Sequence, residues 1–167
     1  MDFEKKIDST RAKLRKGGAP VGKIEDLSDE EFLSIYFYRC WLDGVEGQKR
    51  IETELKVNLG YEKGYKLFNN INSLFQLLSK TVRRNLARHN IDCNCVGADE
   101  SCFSQLVIRA ANNEREDAML IATLLADVHF ASKIVDLAEK FGLGMKYMSS
   151  THSETIYRYY AESKSFH

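Results

Sequence analysis

Apolar residues recur along this chain at i, i+3, i+4 and i+7, the spacing of one helix face, and convincing β-type alternation is absent. Ser28 and Glu31 have capping-box spacing and predict the start of the first strong helix. Its stripe is Leu33, Tyr36, Phe37, Cys40 and Trp41, and Asp43–Gly44 ends it. A shorter helix is expected from about Val45 to Leu59, stopping at Gly60. Phe68, Ile71, Phe75, Leu78, Val82 and Leu86 then predict a long helix from about Glu62 to His89, with Lys80, Arg84 and Arg88 in a row on its opposite face. Asp99 is placed to cap the next helix, whose stripe is Cys102, Phe103, Leu106, Val107 and Ala110. "NNERED" interrupts it. Asn113 reads as a cap, and Glu114, Glu116 and Asp117 sit where a helix dipole favours acids. The helix from Glu114 to about Ala126 is apolar on most sides, which predicts a place at the centre of the bundle. Ala131, Ile134, Val135, Ala138 and Phe141 form another stripe, closed by Gly142.

At the ends the pattern weakens. Residues 2–16 suit a charged helix with a thin apolar face (Phe3, Ile7, Leu14), broken by Gly17–Pro20. Thr151 and Glu154 mark a terminal helix carrying Ile156, Tyr157, Tyr159 and Tyr160. The expected fold is all-α, a bundle of about six to eight helices with a cysteine-rich helix–loop–helix corner. Its expected organisation is a charged N-terminal arm over 1–20, the bundle over 21–148, and an aromatic helical tail over 149–167.

Composition adds exclusions. The 167 residues are 44% hydrophobic and 29% charged, ordinary for a globular domain. Lys plus Arg and Asp plus Glu both count 24, a balance that does not call for a polyanionic partner. The apolar run Ala118–Val128 is too short to span a bilayer, and the first residues lack the apolar middle of a secretory signal. A cytoplasmic protein with no membrane partner is therefore expected. In a reducing compartment, clustered cysteines suit metal, redox chemistry or plain packing better than a disulfide framework.

The candidate chemistry lies in "RHNIDCNCVGADESCF", which holds three of the chain's four cysteines. His89, Cys93, Cys95 and Cys102 are spaced H-x3-C-x-C-x6-C, four soft or borderline ligands of the kind a structural zinc takes. In the first turn of a helix, Cys102 would be favoured as a thiolate. The competing reading is core: His89 and Cys102 both fall on predicted apolar stripes, so only Cys93 and Cys95 escape that explanation. No Gly-rich phosphate loop, H-E-x-x-H or G-x-S-x-G is present, so no catalytic residue is assigned.

Three functions are compatible with these patterns. The first is a non-enzymatic adaptor or scaffold domain, stapled by zinc at the corner. It would bind a protein partner or a second copy through Lys80, Arg84 and Arg88 or through Tyr159 and Tyr160. The second is a metal- or thiol-sensing regulator whose basic row meets nucleic acid or an acidic partner. The third is an enzyme whose site is gathered from distant residues.

Overall fold

The structure of the chain, a computed structural model, describes residues 17–151. Phe3, Ile7 and Leu14, together with Ile156, Tyr157, Tyr159 and Tyr160, lie outside the described residues. Six α-helices make an all-α fold to which one short sheet is added. In chain order they are α1 (Asp29–Leu42), α2 (Val45–Leu59), α3 (Tyr61–Thr81), α4 (Ala98–Ala111), α5 (Arg115–Leu125) and α6 (Ala131–Thr151). None of the described helices is long and apolar enough to cross a membrane.

Helix α1 opens on the predicted capping box: the Ser28 hydroxyl accepts from the Glu31 amide at 3.3 Å, and the Glu31 carboxylate accepts from the Ser28 amide at 2.9 Å. Every residue from Phe32 to Cys40 is buried, because α2, α4 and α6 all pack on this helix. Such burial is tolerable only because each polar member finds a partner. The Ser34 hydroxyl donates to the Glu30 carbonyl, the Tyr36 hydroxyl to Glu54, and the Tyr38 hydroxyl to the Ala87 carbonyl at 2.8 Å. Tyr38, Phe75, Phe103 and Phe141 join four helices in one aromatic core, with ring centroids 5.0 Å apart for Tyr38–Phe103 and 5.1 Å for Phe75–Phe103.

Several sequence-based expectations fail, each for a tertiary reason. The long third helix ends at Thr81, not at His89. Val82 is extended and bridges Ala126, while the Asp127 amide donates to the Thr81 carbonyl at 3.0 Å. The exits of α3 and α5 therefore pair with each other instead of prolonging α3. Helix α5 is not central. It packs on α4 and α6 and buries only Ala118, Ala122 and Leu125. Asn113 is no cap but the left-handed residue of the turn before it, with φ 63°. Gly142 does not close α6, which runs on to Thr151. A side chain at Gly142 would meet the Val107 carbonyl oxygen and the Ala111 Cβ at 2.6 Å, so this glycine lets α6 cross α4 closely.

Strands also occur where none was expected. β1 (Pro20–Lys23) pairs antiparallel with β2 (Cys95–Gly97), matching Pro20 to Gly97 and Lys23 to Cys95. The Ile24 amide donates to the Asn94 carbonyl and the Ala98 amide to the Ala19 carbonyl, extending the contact at both ends. The sequence before α1 is thus laid along the cysteine loop.

Candidate functional site

Between Thr81 and α4 the chain runs through a long segment without helix, and its polar backbone must be satisfied by something. Two buried side chains do this. Arg39 on α1 and Glu100 on α4, 1% and 0% exposed, form a two-pronged ion pair: Nε to Oε1 at 2.8 Å and Nη2 to Oε2 at 2.9 Å. The remaining capacity of each faces the loop. Arg39 Nη1 donates to the carbonyls of Asn90 (3.1 Å) and Cys93 (2.8 Å), and Nη2 to the carbonyl of Cys95 (2.5 Å). Glu100 accepts from the amides of His89 (2.7 Å) and Gly97 (2.8 Å). Arginine supplies donors and glutamate acceptors, so together they pair the loop backbone as a neighbouring strand would. Burial pushes the Glu100 carboxyl up, but the Arg39 guanidinium and the Gly97 and His89 amides outweigh it and hold it below the usual carboxylate range.

Asp99 repeats the device nearer the surface. Buried itself, it accepts two hydrogen bonds from Arg84, at 2.7 and 2.6 Å, and one from the Ala87 amide at 2.8 Å. Asp99 therefore anchors the loop instead of capping α4, whose N-cap is Gly97. This also dissolves the expected basic row. Arg84 is engaged by Asp99, Arg88 reaches Asp43 at 2.8 Å, and Lys80 alone of the three stays on the exposed surface of α3.

The four sulfur and imidazole candidates do not converge. Cys93 Sγ lies 3.6 Å from His89 Nδ1, and the neighbouring Cys93 thiol pushes the exposed Cys95 thiol up. Cys102 is half-buried on α4, beside Asp99 and Arg84. Burial first, then the Asp99 carboxylate, pushes its thiol up, which reverses the thiolate expected from the helix dipole. Among the described residues no three His, Cys, Asp or Glu side chains form a group that could hold a metal ion. Cys40 is core, its thiol pushed up to about 12 by burial.

His89 is fixed from both sides. Its Nε2 is 3.0 Å from the Gly18 carbonyl, which can only accept, so Nε2 donates to it and Nδ1 is the nitrogen that faces Cys93. The ring lies over Gly97, where a Cβ would come within 3.0 Å of it. The sequence placed His89 on a helix stripe; its real neighbours, Gly18 and Gly97, carry no periodic signal.

Two other surface features have chemistry of their own. A groove of about 230 Å³ runs between α1 and the end of α3, lined by Trp41, Leu42, Phe75, Leu78, Val82 and Leu86 among others. Its lining holds no carboxylate, histidine, lysine or cysteine, and its one phenol, Tyr38, donates to the Ala87 carbonyl. The outer side of α5 carries Leu120 and Leu124, 65% and 73% exposed, and the 3-10 turn after it carries the exposed Val128 and Phe130.

Fold and corner together define a class, an all-α helical domain whose long internal loop is held by buried ion pairs. Beyond that class, no protein-family model, curated protein or solved structure matches the chain.

Proposed function

We propose that the chain is a helical interaction domain that binds another polypeptide through the outer face of α5 and the turn that follows. The observation carrying this reading is the pair of leucines that α5 leaves in water. The helix turns Ala118, Ala122 and Leu125 into the bundle and Leu120 and Leu124 out to solvent. Each exposed leucine forgoes the roughly 1.5–3 kcal/mol that its burial would contribute. Val128 and Phe130 extend the apolar surface along the chain. Apolar side chains exposed together in a patch are a mark of a contact site. Of the basic row expected to bind, Arg84 and Arg88 are engaged in ion pairs with Asp99 and Asp43.

The test is a photo-reactive residue at position 124, irradiated in the purified chain at high concentration and in a cell extract. A discrete adduct is expected, with a second copy or with another protein, and it should vanish in Leu120→Asp/Leu124→Asp. Because both leucines are exposed, that variant should keep its stability to within about 0.5 kcal/mol. Diffuse labelling that ignores the double substitution would reject the assignment.

A further inference from the structure

We propose that Cys93 and Cys95 form a reversibly oxidised dithiol that reacts with hydroperoxides, with His89 accepting the proton from Cys93. Three observations support it. His89 Nδ1 lies 3.6 Å from Cys93 Sγ, and its far nitrogen is anchored on the Gly18 carbonyl at 3.0 Å. A nucleophile, a base and a group that orients the base are thus in sequence, the arrangement that activates a thiol. Cys95 is exposed and stands two residues from Cys93, the place for a second thiol that resolves a first oxidation product. The other two cysteines differ: Cys40 is fully buried, and Cys102, half-buried like Cys93, stands beside the Asp99 carboxylate.

Cys93 sulfur attacks one oxygen of the peroxide, the O–O bond breaks, and the thiol proton passes through His89 Nδ1 to the departing oxygen. Cys93 becomes a sulfenic acid and an alcohol is released, or water when the oxidant is hydrogen peroxide. Cys95 sulfur then attacks the sulfenic sulfur, the S–O bond breaks, and the hydroxyl leaves with the Cys95 proton as water. Two thiols and one hydroperoxide yield one disulfide, one alcohol and one water, with two electrons moved from sulfur to oxygen.

Only Asn94 separates the two cysteines, so the ring is tight, and a strained disulfide is readily reduced by other thiols. Closing it draws in the backbone between them. That stretch holds the Asn94 carbonyl, which accepts from Ile24, and is flanked by the Cys93 and Cys95 carbonyls, which accept from Arg39. Oxidation therefore loosens β1 from the loop.

The full reduced chain is treated with hydrogen peroxide and mapped by peptide mass spectrometry. Loss of two hydrogens from the peptide holding Cys93 and Cys95 is expected first, reversed by a small-molecule thiol and accompanied by faster amide exchange at Ile24. Cys95→Ser should accumulate a sulfenic acid at Cys93 that dimedone traps. His89→Gln should slow the first step by roughly a hundredfold, the low end for a positioned proton acceptor. Should that variant fold poorly, the wild-type chain in urea serves instead: Cys93 should lose its lead over Cys102 once unfolding separates it from His89. Equal oxidation of Cys93 and Cys102 in the folded chain would overturn the proposal. So would retention of one zinc per chain that blocks reaction at both loop thiols.

Discussion

At the scale of single residues, Arg39 and Glu100 are unusual in facing each other and the loop at once. A buried ion pair can often be replaced by apolar side chains with little loss, because its desolvation cost offsets its attraction. Here that exchange should fail. Removing both charges would orphan the carbonyls of Cys93 and Cys95 and the amides of His89 and Gly97, all served by the pair, and leave the Asn90 carbonyl to the Cys93 amide alone. Arg39→Met alone is expected to cost about 3–5 kcal/mol, the usual range for stranding one partner of a buried pair. Arg39→Met/Glu100→Leu should recover little of it. Urea unfolding of the three proteins measures this directly. A double variant as stable as the wild type would show that the loop finds other partners.

Among elements, the crossing of α4 and α6 is governed by Gly142. Helix propensity favours alanine over glycine by about 1 kcal/mol, so a surface glycine in a helix is normally improved by the change. At this position the new Cβ would sit 2.6 Å from the Val107 carbonyl oxygen, a backbone atom that cannot rotate away. Overpacking should win. Gly142→Ala is expected to destabilise by about 1–3 kcal/mol, read as a lower urea midpoint. A stabilised variant would mean that the two helices part without cost. The sequence pattern read Gly142 as a helix end because propensity describes a helix in isolation, whereas this glycine answers to a neighbour. The same distinction explains α3. Val82 and Leu86 continue its spacing, yet the pairing of Val82 with Ala126 and the grip of Asp99 on Arg84 and Ala87 take that stretch out of the helix.

For the whole molecule, the loop and β1 depend on the Glu100 carboxylate, which serves them as an anion. Because the folded state holds Glu100 below its ordinary 4.5, the unfolded chain takes up the proton first as pH falls. Its contribution is complete above 4.5 and is lost as pH drops through the lower folded value. Stability measured against pH should therefore decline on the acid side below 4.5, and Glu100→Gln, already weakened at neutral pH, should show a shallower decline. Parallel acid limbs in the two proteins would remove Glu100 as a source of the slope. The chain's two proposed roles occupy different parts of the fold: a static apolar face on α5, and a thiol loop whose anchor reaches the centre through Arg39.

The sequence by itself determined the all-α class, the capping box at Ser28, the turns at Asp43–Gly44 and Gly60, and most of the core stripes. These follow from local hydrogen bonding and helical periodicity, which neighbouring residues carry between them. It also drew attention to the loop of Cys93 and Cys95. Tertiary structure alone decided that β1 pairs with that loop, that Arg39 and Glu100 meet across 61 positions, and that His89 faces Cys93 but not Cys102. In the sequence Arg39 is a charge within an otherwise apolar run and Glu100 an acid near a helix start. A hydrophobic pattern records which residues leave water. Which buried charge answers which backbone group depends on how distant segments come together, and no local spacing encodes it.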